Sequence, residues 1–387
     1  MPTDVLDLSK SARAEDQPAK IVDLRRAAPP GVAALGHELQ RALRDLHQAG
    51  ELTALLQFNR FSGTADDRAM GAQWVGRRLG TRPPPERMIV TNGTQNALLL
   101  VMRTLLAPND LLLAEAMTYP QLRSVAELSG IRLRGVPIDQ DGVVPDAFEQ
   151  ICKEARPKAF YCVPTLHNPT TAVLPLERRK AIVEIARRFD VTIVEDDAQG
   201  LLLREAPPPL ASIAPESVWY VLGLAKCISM GMRVGYAVAP TSELRERLLQ
   251  KFGTMSMWFA APLHGVLAAS WIRDGGAHRI YDAICKDMTA RHKVVAMALA
   301  GTGAETKPGA LHVWLPMPAQ WSVLDFVAIA QENGVLVRPG TAFALSAMEP
   351  RAHGVRICLG DAKTLDELEA GLATLARLLR TRPSKRQ

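Results

Sequence analysis

The 387-residue chain has no stretch approaching the roughly 20 continuous apolar residues of a membrane span. Residues 1–20 are polar and charged and lack the apolar centre of a secretory signal, so they read as a flexible arm. Cysteine is scarce. Cys152, Cys162, Cys227, Cys285 and Cys358 are an odd, scattered set without metal-ligand spacing, and most lie in apolar runs. They read as small buried residues of a reducing compartment. No internal repeat is evident, and the proline-rich runs are confined to Arg82–Pro85 and Pro207–Pro209. Charge of one sign is not concentrated either: the net +6 comes from interleaved acids and bases, which favours a solvated surface over a nucleic-acid footprint. The basic end, Thr381 to Gln387, reads as a frayed terminus. With 48% hydrophobic and 22% charged residues, a cytoplasmic globular protein is expected, large enough for two lobes.

Within that frame, Gly36 to Gly50 has Leu39, Leu43 and Leu46 at helical spacing. Leu55 to Gly63 reads as an extended segment ending in a turn, and Thr64 as the cap of a helix to about Leu79. A regular alternation follows. Strands are expected near Met88–Thr91, Leu111–Ala114, Ile131–Pro137, Ala159–Val163, Val191–Val194, Trp219–Leu222 and Val234–Val238, with helices between most of them. Such alternation predicts an α/β protein with a mostly parallel sheet covered on both faces, its functional groups in loops at the carboxyl ends of the strands. The chain beyond about residue 275 reads as a smaller α+β lobe, completed by an N-terminal segment of residues 21–54, with the large domain spanning 55–275 and the small one 276–380.

Chemistry gathers at the strand ends. Lys226 stands between two apolar strands with no other charge before Arg233, a costly position unless its amine is neutral or covalently used. Thr91-Asn92-Gly93-Thr94-Gln95 joins a strand to an apolar helix, placing free amides and a hydroxyl at a helix N-terminus, where an anion is favoured. The turn lacks a Walker lysine and a GxGxxG fingerprint, which argues against nucleotide readings. Tyr119, in Glu115-Ala-Met-Thr-Tyr-Pro, can stack on a planar group. Asn168, before Pro169, can aim an amide into a cleft. Glu195, Asp196 and Asp197 end a buried strand, which is expensive unless cations answer them. Each feature alone is most often an ordinary turn or packing residue.

As an ordered set, TNGTQNAL, EAMTYP, PTLHNPTT and VEDD, with Lys226 and Arg233, resemble the fold-type I pyridoxal-phosphate aminotransferases of class I/II. The similarity is greatest to the aminotransferase-like domain of MocR-type (GntR) regulators and their free-standing relatives, and it runs from about Ile21 to Leu379. It implies a large, mostly parallel seven-stranded sheet domain with a smaller α+β domain, a homodimer, and pyridoxal 5'-phosphate as cofactor. Carried over by position, it implies that Gly93, Thr94, Gln95 and Arg233 bind the phosphate and Tyr119 stacks on the ring. Asn168 answers the ring hydroxyl, Asp196 the pyridine nitrogen, Lys226 is the Schiff-base lysine, and Arg356 grips a substrate carboxylate.

The sequence departs from the family in four places. Gly223 and Ala225 stand where relatives usually place hydroxyl residues. Gln199 replaces a tyrosine that donates to the ring hydroxyl, and Phe58 a tyrosine whose hydroxyl reaches the phosphate across the dimer. Phosphate contacts worth about 1.5–3 kcal/mol each are thereby expected to be lost. The resemblance implies an enzyme acting on an amino acid, with a 2-oxo acid as partner substrate if it transaminates. Elimination, replacement, cyclisation or oxidation on the same cofactor is the alternative, and a non-catalytic effector module the second. About 55 residues precede LLQFNRFSG and already match the start of the catalytic-type domain, so nucleic-acid binding is not expected. Arg338 is noted as an additional charge in the small domain.

Overall fold

The computed structural model describes residues 21–381. The expected arm of residues 1–20 and all but the first residue of the basic tail lie outside the described residues.

Seven strands build the main sheet: β1 (Met88–Thr91), β2 (Leu111–Glu115), β3 (Arg132–Val136), β4 (Ala159–Cys162), β5 (Thr192–Asp196), β6 (Val218–Gly223) and β7 (Gly235–Val238). Their spatial order is β1-β7-β6-β5-β4-β2-β3, parallel throughout except for β7, which runs antiparallel to both neighbours. Alternate strand residues feed two separate apolar cores. Met88, Val90, Phe160, Tyr220 and Leu222 enter one, and Ile89, Tyr161, Val194, Trp219 and Val221 the other. That two-residue period, with both faces apolar, is why the strands read as continuous hydrophobic runs.

The helix Gly93–Leu105 covers one face, starting directly from the end of β1. The helix Ala65–Leu79 begins with a full capping box, Thr64 and Asp67 each answering the other's backbone N–H. The preceding Leu55–Gly63 segment is not extended as expected. It contains the end of a short helix, Leu52–Leu55, followed by turns, because Arg60 is drawn back to Asp67 at 2.7 Å and Phe61 meets Phe259 edge-on.

The long helix Gly276–Ala298 leads into a three-stranded antiparallel sheet in which Gly354–Cys358 lies between His312–Pro316 and Arg338–Pro339. Arg338 is paired in register with Arg356. Val22–Asp23 adds a parallel strand beside Val335–Leu336, and Cys358 N donates to Leu24 O at 2.8 Å. The chain then passes through Arg25, Arg26 and Ala27 across the cleft between the main sheet and this smaller one.

Candidate active site

The buried acids at the end of β5 show how one strand can carry three carboxylates. Glu195 accepts from the backbone N–H groups of Leu210 and Ala211 and lies 3.7 Å from the fully buried Arg179. Asp197 faces Arg78 at 2.9 Å and accepts from the Tyr220 hydroxyl. Both are thereby answered by structural partners. Asp196 alone turns into the cleft, where its carboxylate accepts from the Tyr161 hydroxyl at 2.9 Å and from Ala198 N at 3.1 Å. Burial pushes its pKa up to about 6, against the lowering effect of the Tyr161 hydrogen bond.

Around Asp196 lies a pocket of about 270 Å³. Thr94, Gln95, Tyr119, Asn168, Gln199, Lys226, Arg233 and Arg356 all line it with Asp196. Gly93 lies immediately behind. Its φ of +78° favours glycine, and a Cβ there would come within 2.8 Å of the Arg233 guanidinium, which rests against it. The helix starting at Gly93 has no side-chain cap from Asn92, so its first amides stay uncapped beside Thr94 and Arg233.

Lys226 sits in the turn between β6 and β7, and Nζ donates to Ala27 O at 2.6 Å. Burial, with Arg356 adding to it, lowers its pKa to about 8, so the amine loses its proton far more readily than an exposed lysine. Arg356 donates to Asn168 Oδ1 at 2.7 Å and to Arg25 O at 2.6 Å, and its guanidinium lies over the Phe343 ring. Tyr119 is held by Gln95, whose Nε2 donates to its hydroxyl at 2.7 Å.

Phe58 does not line this chain's own pocket: the turns after Leu55 leave it 70% exposed, on a surface from which it could face a second copy. Gln199 lines the pocket, but its amide is largely engaged elsewhere. Nε2 donates to Leu166 O at 3.3 Å and Oε1 accepts from Leu311 N at 3.1 Å, tying the end of β5 to the smaller domain. One N–H remains for a ligand. Gly223 also has a structural reason, because a Cβ there would lie 2.7 Å from Thr94 Cγ2. The Thr94 methyl already fills the space that a side chain at 223 would need.

The structure adds residues that sequence reading missed. Tyr161 could have been found from strand alternation, since it pairs with Val194 and so shares a sheet face with Asp196. The Arg25–Ala27 segment and Phe343 carried no local signal. Beneath the pocket, burial raises Glu115 to about 8 while it accepts from Val163 N. His167 is lowered by burial to about 4 and bonds Thr170 and the Met117 carbonyl. Among the described residues no group of acids, histidines and cysteines could hold a metal ion, and no helix is long and apolar enough to cross a membrane.

A parallel sheet with an antiparallel β7, a second small sheet, and a lysine, an aspartate and two arginines meeting at the strand ends define an α/β two-lobed enzyme-like architecture. The family model for aminotransferases of class I and II matches residues 19–372, and the chain belongs to that family. It is 30% identical over 315 residues to the 2-aminoadipate transaminase of Thermus thermophilus, covering 79% of this chain and 77% of that protein. An uncharacterized HTH-type transcriptional regulator of Bacillus subtilis, YdeF, is 29% identical over 306 residues, covering 78% of this chain. The chain spans only about 65% of that regulator's length. The crystal structure of LysN, the α-aminoadipate aminotransferase of Thermus thermophilus complexed with N-(5'-phosphopyridoxyl)-L-leucine, superposes with a TM-score of 0.80 at 26% identity, covering 93% of this chain and 92% of that one. The fold is thus the fold-type I architecture that the motifs implied.

Proposed function

We propose that the protein is a pyridoxal-phosphate-dependent aminotransferase that takes an amino group from an amino acid and passes it to a 2-oxo acid. The observation carrying this reading is the convergence of Lys226, Asp196, Tyr119, Arg233 and Arg356 on one pocket from separate strand ends.

The residues present fit that cofactor. The uncapped helix start at Gly93, the Thr94 hydroxyl and the Arg233 guanidinium form a donor set for a phosphate dianion. Asp196, oriented by Tyr161, is an acceptor of the type that holds a pyridine nitrogen protonated. Tyr119, fixed by Gln95, supplies an aromatic face. Lys226, with its lowered pKa, is an amine able to act as a nucleophile near neutral pH. The Thr94 methyl in the space beside Gly223 accounts for the missing hydroxyl there without requiring a different reaction.

When bound, pyridoxal phosphate would supply an electrophilic carbon and an electron sink for the substrate's α-carbon. The chain's own groups would do the rest. Arg356 would grip the α-carboxylate, replacing its contacts to Asn168 and the Arg25 carbonyl, and so orient the Cα–H bond. Lys226 Nζ would carry a proton between the substrate's Cα and the cofactor's C4′, first as base and then as acid. Asp196 would hold the ring nitrogen protonated, and so keep the cofactor able to draw electrons away from Cα.

A homodimer is part of the proposal, as is a cytoplasmic setting. Leu56, Phe58 and Met257 are 86%, 70% and 63% exposed. The Phe61–Phe259 ring contact and the Asn96–Met257 hydrogen bond join their segments beside the start of the Gly93 helix.

Protein saturated with pyridoxal phosphate should show an absorbance band at the edge of the visible range, and Lys226→Ala should lose it. Incubation of the wild type with amino acids should yield a 2-oxo acid in step with pyridoxamine phosphate. Absence of the band would end the cofactor reading. A band without 2-oxo acid formation would move the reaction to elimination or replacement.

A further inference from the structure

Six cationic side chains line the pocket, Arg25, Arg26, Lys226, Arg233, Arg338 and Arg356, against a single carboxylate, Asp196. Two of the six are answered from outside it. Arg25 forms a two-pronged pair with Asp23 at 2.9 and 2.7 Å, and Arg26 another with Asp361 at 2.8 and 2.9 Å. On the reading above, Lys226 and Arg233 belong to the cofactor and Arg356 to the α-carboxylate. Arg338 is left over.

Its placement is specific. Arg338 and Arg356 are direct partners across two antiparallel strands, so their side chains project from the same face, and both line the same pocket. Like charges directly opposite one another are destabilising unless an anion is shared between them. Each of the two has a buried Nε with no hydrogen-bond partner, and Arg356 is only 6% exposed. No carboxylate of the described residues pairs with Arg338, whereas Arg25 and Arg26 in the same pocket wall each have one. An arginine pair with unspent donors, held in register at the wall of a substrate pocket, is built for two anionic groups on one small molecule.

Resting on the aminotransferase reading, we infer that Arg338 is a specificity-determining residue that selects substrates with a second carboxylate on the side chain, an acidic amino acid and the matching 2-oxo diacid. Arg356 takes the α-carboxylate, and Arg338 takes the distal one. Uncharged side chains of equal length leave the Arg338 donors without a partner, so discrimination comes from an unanswered guanidinium as much as from the ion pair that a diacid forms.

The test uses the cofactor-loaded protein and ligands that cannot react. Titration calorimetry would compare glutarate with pentanoate and adipate with hexanoate, each pair differing only in the second carboxylate. The wild type should prefer at least one diacid by about 10-fold or more, the size of one charge-assisted contact. Arg338→Gln should bring that ratio to within about threefold of one, and Arg338→Lys, which keeps the charge without the fork, should restore part of it. Circular dichroism and the cofactor band, read on the same samples, show whether each variant is folded and loaded. A wild type without diacid preference, or a preference that survives in Arg338→Gln, overturns the inference, as does a carboxylate from a second copy found paired with Arg338. The two readings fail separately: diacid preference without a cofactor band keeps the arginine pair and removes the aminotransferase, and the band without the preference does the reverse.

Discussion

Glu115 is 2% exposed, and among the described residues its one ion-pair neighbour is the neutral-leaning His167, 3.7 Å away. Burial therefore favours its protonated form and raises its pKa from 4.5 to about 8. The sign of the consequence follows from proton counting. Between pH 4.5 and 8 the folded protein holds a proton on Glu115 that the unfolded chain has released, so this group's contribution is fully present below 4.5 and declines as the pH rises to 8. Replacing it by glutamine keeps an acceptor for Val163 N and removes the titration. Chemical denaturation of Glu115→Gln should show a flatter stability profile over that window, with the variant ahead of the wild type by as much as about 4 kcal/mol at pH 8. Parallel profiles for the two proteins would contradict the buried, protonated carboxyl. Asp197, two residues past Glu195 in chain order, shows the other way to bury a carboxyl group: Arg78 and Tyr220 both meet it.

The helix that starts at Gly93 and the strand β6 that ends at Gly223 are the elements whose fit shapes the phosphate end of the pocket. They approach so closely that the Thr94 methyl stands in for a side chain at 223. Gly223→Ser, the change that would restore a hydroxyl usual among relatives, should therefore destabilise the protein by about 1–3 kcal/mol and fail to tighten pyridoxal phosphate. Combined with Thr94→Gly, the same serine should fit, and the two changes should be clearly non-additive in a double-mutant cycle read by thermal denaturation and cofactor titration. Simple additivity would mean that the two elements are not in contact there. The same element pairing explains Arg233, which lies at the entrance to β7 and rests its guanidinium on the bare Cα of Gly93.

At the scale of the whole molecule, the N-terminal segment acts as a strap. Val22–Asp23 is stitched into the smaller domain, Arg26 pairs with Asp361 there, and the carbonyls of Arg25 and Ala27 receive Arg356 and Lys226 in the pocket. Elsewhere on the surface, the exposed Leu56, Phe58 and Met257 mark a region suited to a second copy. Light scattering should give a mass of twice 42.2 kDa, and Leu56→Asp with Phe58→Asp should shift the protein toward the single-chain mass. A wild type that stays monomeric at all concentrations would rule out the proposed dimer.

Much of the fold was legible because its signals are local. Most of the seven strands are short apolar runs bounded by turn residues, the edge strand β3 with Arg132 and Arg134 being the exception, and hydrophobic runs announce buried parallel strands whatever their order. The residues of the phosphate turn, Asp196, Lys226 and Arg233 were legible because each follows a strand within a motif. By itself the sequence determined the seven-stranded α/β architecture and the motif residues gathered at its strand ends. Tertiary structure alone decided which partners answer Glu195 and Asp197, that Gln199 spends most of its amide on backbone partners, and that Phe58 turns outward. It alone also brought Arg338 opposite Arg356 and carried Arg25 to Ala27 into the pocket. The reason is physical: strand formation depends on neighbours a few residues apart, whereas the charge balance of a pocket depends on residues far apart in the chain, such as Arg25 and Arg356, separated by 331 positions.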